Sequence, residues 1–400
     1  MTYKPFEVLG PEHEFSIIDE HLHALPITDK IMKGLHGRVV NTIEYPRFAI
    51  GKELQMHVLE LKSKKPFRSP RLFEENLSEA VAFTSEYLKS KYGASLLGSG
   101  MHPLLDLSET AIWPHRHTSI YRVFQSIFNM RQHGWLNIQA FQLNLPYGGR
   151  KRAATVHNVL ANMIPYLPAI SASSPICEGR FGDFVDNRMY FYKLIQKEVP
   201  SIAGDVIPEY IQSIEEYRKK IVGKYSADLA KAKASKSVLY KDWINARGIT
   251  LRFDRRAVEI RIIDEQECIR SDVALSCFIR GAAKGLIDNY EQDAKLLPHE
   301  SLVKDFNSVI REGRKAIVAH PKGPTARDVC NYLYGLASKH ASDEDNEYLP
   351  LVKRRIEEGN LSEVIVRKVQ QKSQKAETHE AIISTYLDLS KALQKNTPYF

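Results

Sequence analysis

The chain has 400 residues, of which 43% are hydrophobic and 26% are charged, so it can bury a large core. No apolar run is long enough to span a membrane, and the N-terminal residues form no apolar leader. We therefore expect a cytoplasmic protein with no membrane partner. The four cysteines are scattered without a C-x-x-C pair, so we expect neither a zinc cage nor a disulfide framework.

The net charge of +8 at pH 7 would suit a nucleic acid or a phosphate-bearing ligand. Lysines and arginines are spread along the chain, and the richest stretch, residues 219–241, is explained by a solvated helical face. The sequence contains no recognised DNA- or RNA-binding motif. A nucleic-acid-binding protein is therefore the weaker alternative, and we expect no nucleic-acid partner.

The first 70 residues predict strands and turns. Residues 77–92 predict a helix that ends at Gly93, and residues 96–100 predict a strand followed by a loop. Residues 118–132 predict a helix that is ended by Gly134. Mixed strands and helices thus occupy the first third of the chain.

Residues 138–145 alternate between apolar and polar side chains, as expected for a strand that is buried on one face. Phe141, Leu143 and Leu145 share the apolar face, whereas Ala140, Gln142 and Asn144 share the other. A helix is predicted next, over residues 155–164.

The remaining pattern is helical except for one pair of strands. Residues 206–240 predict a helix, residues 249–264 predict a strand pair or a bent strand, and everything from about residue 271 onward is helical in pattern. Asn360 followed by Glu363 predicts a capped helix start. The chain is therefore expected to be α+β, with mixed elements first and helices last.

Acidic residues on one face of an early strand form the first candidate site. Glu12 and Glu14 point to the same side of an extended chain. Two carboxylates about 4 Å apart at an effective dielectric of 20 repel by about 4 kcal/mol. A divalent cation such as Mg²⁺, which prefers oxygen ligands, removes that repulsion. The alternative is a solvated edge strand that carries acids.

A third acid, Glu60, continues a strand face that Leu54, Met56 and Val58 make apolar. A carboxylate in such a position requires a partner or a metal. The alternative is that the strand ends before Glu60 and leaves this side chain in solvent.

In residues 258–264, aliphatic residues alternate with Glu259 and Arg261. By themselves these two charges predict a cross-strand ion pair. With the earlier acids, however, Glu259 completes an acidic set from three separated strands. Such a set can hold the metals that bridge ATP phosphates, while Arg261 stabilises the transferred phosphoryl group.

A loop-rich segment follows His157-Asn158 and contains the run Ser171-Ala-Ser-Ser-Pro175. Small residues allow the backbone to approach a ligand closely. Arg180 and Arg188 could clamp a substrate carboxylate with two hydrogen bonds each. The alternative is a loop that carries surface arginines.

Taken together, these pieces resemble the second type of glutamate–cysteine ligase found in bacteria and archaea, also called carboxylate–amine ligases. The matching pieces are G-x-E-x-E at 10–14, E-L…L-E-L at 53–61, H-N…S-A-S-S-P…G-R at 157–180 and V-E-I-R-I-x-D at 258–264. The resemblance spans about residues 8–280, with a weaker helical match beyond.

The resemblance implies the fold of glutamine synthetase, in which an antiparallel sheet cups the active site and is backed by helices. Residues 1–280 would be the catalytic core, and residues 281–400 a helical part packed on the same domain. It also implies γ-glutamyl-type ligation through an acyl phosphate, with ATP and Mg²⁺ as cofactors, carboxylate and amine substrates, and a homo-oligomer.

The resemblance also assigns site residues. Metal ligands would be Glu12, Glu14, Glu60 and Glu259; Glu259 and Arg261 would be catalytic; Arg180, Arg188, Gln142, Asn144 and His102 would bind substrate. A second reading of His102 is a hydrogen-bonded loop histidine.

One departure from the family pattern concerns the strand before His157. The family usually shows H-V-H-V there, whereas this chain has Gln142-Leu-Asn144-Leu. An amide cannot relay a proton near neutral pH, so we expect a changed substrate. The alternative is a catalytically silent homologue that binds nucleotide and acts as a regulator; the four retained glutamates argue against it.

Overall fold

The computed structural model describes residues 3–115, 118–195, 197–232, 234–235, 239–293 and 295–400. The strands are β1 (Gly10–Ile18), β2 (Thr42–Glu44), β3 (Phe48–Lys52), β4 (Val58–Ser63), β5 (Ser95–Leu97), β6 (Ala140–Pro146), β7 (Ile176–Cys177), β8 (Arg180–Phe181), β9 (Ile249–Arg252) and β10 (Ala257–Asp264). One large antiparallel sheet has the order β2-β3-β4-β1-β6-β10-β9, and β5 also pairs with β1. Strands β7 and β8 form a separate hairpin.

The described chain also contains α-helices before, between and after the strands. They are α1 (Thr28–His36), α2 (Pro70–Tyr92), α3 (Thr118–Gln125), α4 (His133–Leu136), α5 (Arg150–Met163), α6 (Pro168–Ser171), α7 (Asn187–Leu194), α8 (Ile214–Tyr217), α9 (Gly223–Lys231), α10 (Ile269–Asp293), α11 (His299–Glu312), α12 (Ala326–His340), α13 (Asp343–Asn346), α14 (Leu349–Glu358), α15 (Leu361–Ser373) and α16 (Thr378–Lys395). Among the described residues, no helix combines the length and apolar composition needed to cross a membrane.

The large sheet has one apolar and one polar face because its strands alternate. Phe15 of β1 lies opposite Leu59 of β4, and Phe141 and Leu143 of β6 are buried on the same side. This side packs against helices that include α2 and α10. The expected α+β fold, an antiparallel sheet backed by helices, is confirmed.

A bulge in β10 decides which side chains reach the polar face. Ile260 pairs with Leu143 but Ile263 pairs with Phe141, so β10 carries one extra residue. Both isoleucines therefore lie on the apolar face. Glu259 and Asp264 are five positions apart and would face opposite sides of a regular strand, but the bulge puts both on the polar face.

The C-terminal helices complete the core. Asn360 caps α15 by accepting a hydrogen bond from the Glu363 N–H at 3.0 Å, and the Glu363 carboxylate accepts one from the Asn360 N–H, which confirms the predicted capping box. Residue 280 lies inside α10, and one hydrophobic cluster includes side chains from both sides of it. The division into residues 1–280 and 281–400 stays a prediction.

Several element boundaries differ from the sequence-based expectation. The helix predicted over 118–132 ends at Gln125, and Gly134 lies inside α4. Side chains compete with the helical backbone after that point: the Ser126 hydroxyl donates to the Val123 carbonyl at 2.7 Å, and the Asn129 side chain accepts from the Arg131 N–H.

Two further expectations were wrong in extent. Leu54 and Met56 lie in the turn between β3 and β4, so the apolar strand face before Glu60 is reduced to Val58. The helix predicted over 206–240 is restricted to residues 214–231, and part of its last third lies outside the described residues. Helix α1 was missed.

Buried histidines make the fold sensitive to acid, and His157 on α5 isolates this effect. Its ring is buried against Tyr217, and burial lowers its pKa to about 4. Between about pH 6.5 and pH 4 the unfolded chain binds a proton at this residue that the folded chain does not. The stabilising contribution of neutral His157 is therefore lost as the pH falls through this range.

We expect His157→Leu to reduce the loss of unfolding free energy between about pH 7 and pH 4.5 by roughly 2 kcal/mol. Urea unfolding of both proteins at the two pH values measures this difference. The other buried groups titrate equally in both proteins, so their contributions cancel when the two changes in unfolding free energy are compared. An equal loss in both proteins would show that His157 is protonated inside the fold.

Candidate active site

Four glutamates share the polar face of the large sheet. Glu14 of β1 lies directly opposite Glu60 of β4, and Glu12 lies two residues before Glu14 on the same face. Glu259 of β10 lies opposite Asn144 of β6, which separates β10 from β1. The structure thus brings the four predicted metal ligands onto one surface, and their role as ligands stays a prediction.

Basic side chains surround these carboxylates. Lys62 forms an ion pair with Glu60, Arg255 forms one with Glu12, and the Arg252 Nη1 lies 2.7 Å from the Glu259 Oε1. The three cations were not identified from the sequence, although Lys62 follows Glu60 by two residues on the same strand face. Arg252 is the last residue of β9, and Arg255 lies in the short connection between β9 and β10. From the sequence pattern alone, this connection is predicted only to be a charged turn.

The Glu12 and Glu60 carboxyl groups have opposite pKa shifts. Burial raises the pKa of Glu60 well above its usual range, and the neighbouring Glu12 carboxylate raises it further. Burial also acts to raise the pKa of Glu12, but the Arg255 guanidinium and the other groups around it more than offset this and lower it to about 2. The two neighbouring carboxylates therefore ionise together only when positive charge lies close to both of them.

The two amides of β6 each hold one acid of β1. The Asn144 Nδ2 donates to the Glu12 Oε1 at 2.8 Å, and the Gln142 Nε2 donates to the Glu14 Oε1 at 3.0 Å. The Asn144 Oδ1 is buried and accepts no hydrogen bond from any described residue. An unpartnered amide oxygen between carboxylates is a hard oxygen donor, so this set of residues fits Mg²⁺.

Arg188 and Asp264 form a fully buried ion pair beside this surface. Asp264 also accepts hydrogen bonds from the Ser173 N–H and from the Ser174 hydroxyl, both at 2.7 Å. A side chain at Gly100 would lie within about 2.3 Å of the Asp264 carboxyl carbon, so only glycine fits there. The Ser-Ala-Ser-Ser-Pro run therefore anchors the end of β10.

Two cavities adjoin the polar face. The basic cavity, of about 430 Å³, is lined by Glu12, Asn144, Arg255 and the lysines 62, 64 and 65. The aromatic cavity, of about 180 Å³, is lined by Glu14, Gln142, Arg188 and Arg261, together with aromatic residues from three segments. Glu12 and Glu14, about 7 Å apart along one strand, thus reach different cavities.

Arg261 lies at the edge of the aromatic cavity. Its Nη1 donates to the Asn245 carbonyl at 3.1 Å and lies 3.8 Å from the Glu259 Oε2. Glu14 is also placed there, where burial and then the neighbouring Glu53 carboxylate raise its pKa to about 8.

Two predicted site residues lie elsewhere. Arg180 is exposed on β8 and lines neither cavity, because β8 belongs to the separate hairpin. His102 is buried in a loop, where its backbone N–H donates to the Asn137 side chain at 2.8 Å and burial lowers its pKa to about 4. The geometry favours the loop-histidine reading of His102, and gives Arg180 no contact with the acidic surface.

An antiparallel sheet backed by helices is the fold expected of ligases that resemble glutamine synthetase, and here its polar face carries four glutamates. The chain matches the model of glutamate–cysteine ligase family 2 over residues 8–387. The protein belongs to this family.

Two relatives are similar to all or part of the chain. An uncharacterized protein of Archaeoglobus fulgidus is 43% identical over 392 residues, which cover 98% of this chain and 100% of that protein. A putative glutamate–cysteine ligase 2-1 of Rubrobacter xylanophilus is 26% identical over 193 residues, or 46% of each chain.

Solved structures share the fold at lower identity. Glutamate–cysteine ligase from Francisella tularensis, in complex with AMP, has a TM-score of 0.66 at 14% identity and covers 98% of this chain and 90% of its own. A bifunctional glutathione synthetase from Pasteurella multocida has a TM-score of 0.59 at 13% identity, covering 96% of this chain and 53% of its own.

The buried pair of Arg188 and Asp264 makes a stability prediction. Asp264→Asn keeps the shape but leaves the Arg188 charge uncompensated, so we expect the unfolding free energy to fall by about 3–5 kcal/mol. Asp183→Asn, an exposed change in the same region, should stay within about 0.5 kcal/mol. Urea unfolding compares the variants, and an equal effect of both would contradict the structural role of the pair.

Proposed function

We propose that this protein is an ATP- and Mg²⁺-dependent carboxylate–amine ligase that forms an amide bond through an acyl phosphate. One observation carries the proposal: a single strand presents Glu12 to a basic cavity and Glu14 to a separate aromatic cavity. Phosphates can therefore lie on one side of the acidic surface and the acid substrate on the other, with the reacting groups meeting between them.

The basic cavity is the proposed site for the ATP phosphates. Its lysines and Arg255 supply positive charge where several anionic oxygens must be bound. Arg255 and Lys62 already neutralise Glu12 and Glu60, and both can turn to phosphate oxygens when a metal takes over the carboxylates. The related Francisella ligase is described in complex with AMP, which supports a nucleotide here.

The proposed Mg²⁺ ligands are the four glutamates, with the Asn144 Oδ1 as a further oxygen donor. Bound Mg²⁺ would neutralise phosphate charge. Arg261, held by the Asn245 carbonyl, adds a fixed positive charge beside Glu259 and can stabilise charge on the transferred phosphoryl group.

In the proposed reaction, an oxygen of the substrate carboxylate attacks the γ-phosphorus and ADP leaves. The amine then attacks the acyl phosphate carbonyl, phosphate leaves, and the nitrogen loses a proton. The departing phosphate, which gains negative charge as its bond to the carbonyl carbon breaks, can take up that proton. A cytoplasmic location and a homo-oligomer belong to this proposal as features of the family.

The direct test is ADP release from ATP and Mg²⁺ in the presence of pairs of acids and amines, with mass detection of the amide. At least one pair should give ADP and amide in equal amounts. ATP binding with no ADP release from any pair would instead support the silent nucleotide-binding homologue.

The acidic surface predicts coupled binding of ATP and Mg²⁺. Calorimetry should show ATP affinity falling strongly in EDTA. Glu12→Gln should lower turnover by about 100-fold. Its effect on unfolding free energy should stay below about 1 kcal/mol, because Arg255 is partly exposed and can rehydrate.

The matched control for Glu12→Gln is Glu86→Gln, an exposed change on α2, which packs on the opposite face of the sheet. It should leave ATP affinity, turnover and stability unchanged. Equal ATP affinity with Mg²⁺ and in EDTA would contradict the metal site. If Glu12→Gln unfolds the protein, Glu12 is a structural residue.

The amides of β6 predict a preference among metals. Asn144 supplies an oxygen where the family usually has an imidazole, so Asn144→His should shift the preference from Mg²⁺ toward Mn²⁺ or Zn²⁺. Turnover measured with each metal gives the ratio. A metal preference identical in both proteins would place Asn144 outside the coordination sphere.

A further inference from the structure

The aromatic cavity contains more apolar surface than a small polar acid such as glutamate requires. Phe124, Phe128, Trp135 and Trp243 line it, and their rings contact one another with centroids 5.8–6.2 Å apart. The four rings therefore form one continuous wall that faces the polar sheet surface. Such a wall favours an apolar group of similar size.

Three residues that line this cavity each carry a buried hydrogen-bond donor without a partner among the described residues. The donors are the Arg188 Nη2, the Tyr192 hydroxyl and the Trp135 Nε1, and all three are buried atoms. Buried donors normally have acceptors, and an unpaired one costs about 1–3 kcal/mol. Three unpaired donors on residues that line one cavity therefore indicate a ligand that brings acceptor oxygens.

The fold holds these donors in fixed positions. Arg188 and Tyr192 are four residues apart on α7 and so lie on the same helix face. Trp135 comes from α4, which packs against α7 at Gly134, where a Cβ would lie 2.5 Å from the Phe191 carbonyl oxygen. Asp264 holds the Arg188 Nε and leaves the Nη2 unpaired.

We infer that the aromatic cavity binds a carboxylate that carries a bulky apolar or aromatic group, and that this molecule is a substrate of the ligase. The carboxylate oxygens accept from the three unpaired donors, and the apolar group packs against the aromatic wall. The claim that this molecule is a substrate rests on the proposed function. The claim that it binds in the aromatic cavity does not.

The same geometry disfavours glutamate. Glutamate has a second carboxylate in place of a bulky apolar group, so the aromatic rings would meet a charged group instead of apolar surface, which is costly. An apolar α-amino acid and a simple apolar acid share the required chemistry. They differ in the ammonium group, which the carboxylates of Glu14 and Glu53 in the cavity lining could bind.

Tryptophan fluorescence provides a test without ATP or metal. Two of the three tryptophans, Trp135 and Trp243, line the cavity, and the third, Trp113, is buried elsewhere. We expect 3-phenylpropionate or L-phenylalanine to change the emission with at least roughly tenfold tighter binding than L-glutamate. The tighter of the two probes shows whether the ammonium group is recognised.

Tyr192→Phe removes one donor and keeps the ring, so it should weaken binding of the tighter probe roughly tenfold. Tyr190→Phe on the same helix is the matched control and should leave affinity unchanged, because Tyr190 packs on Phe184 and does not line the cavity. Tighter binding of L-glutamate than of both aromatic probes would overturn the inference, as would unchanged affinity in Tyr192→Phe.

The failure of the proposed function has a different signature. If the aromatic probes bind but support no ADP release with any amine, the inferred binding site is supported and the proposed ligase reaction with these acids is contradicted. Conversely, fast ADP release with glutamate and none with apolar acids would support the ligase and overturn the substrate class.

Discussion

The structure depends on one electrostatic constraint, which is that several carboxylates lie close together on one buried face of the sheet. Glu12, Glu14 and Glu60 lie side by side because the register of β1 and β4 is fixed by the apolar residues on the opposite face. Slipping that register by one residue would expose the core. The acids must therefore be neutralised where they are, and in this structure Lys62 and Arg255 form ion pairs with Glu60 and Glu12.

A second charged pair extends this arrangement to the substrate side. The β10 bulge turns Asp264 toward the polar face, where the serine run and Gly100 enclose it. Asp264 in turn fixes Arg188, which lines the aromatic cavity and whose Nη2 has no partner among the described residues. The serine run, which in the sequence suggests a loop that approaches a ligand, thus holds Asp264 and through Asp264 positions Arg188.

Alternation in the sequence was sufficient to assign the faces of β1 and β6 and to place the four glutamates together. Periodicity could not show the β10 bulge, because one extra residue is invisible without its partner strand. Nor could it reveal the aromatic cavity, whose rings come from segments more than 100 residues apart, such as Trp135 and Trp243. Arg180 illustrates the converse case: it was assigned from a motif, but it lies on a separate hairpin and lines neither cavity, and its role stays a prediction.

The central claim is that the two cavities serve one reaction across the acidic surface. Paramagnetic broadening tests it most directly, using Mn²⁺ in place of Mg²⁺, a non-hydrolysable ATP analogue, and 3-phenylpropionate observed by proton NMR. The account predicts that the acid signals broaden strongly only when Mn²⁺, nucleotide and protein are all present, and that Glu12→Gln abolishes this. Sharp acid signals while both ligands are bound would show that the cavities are not joined through the metal, and would contradict the account.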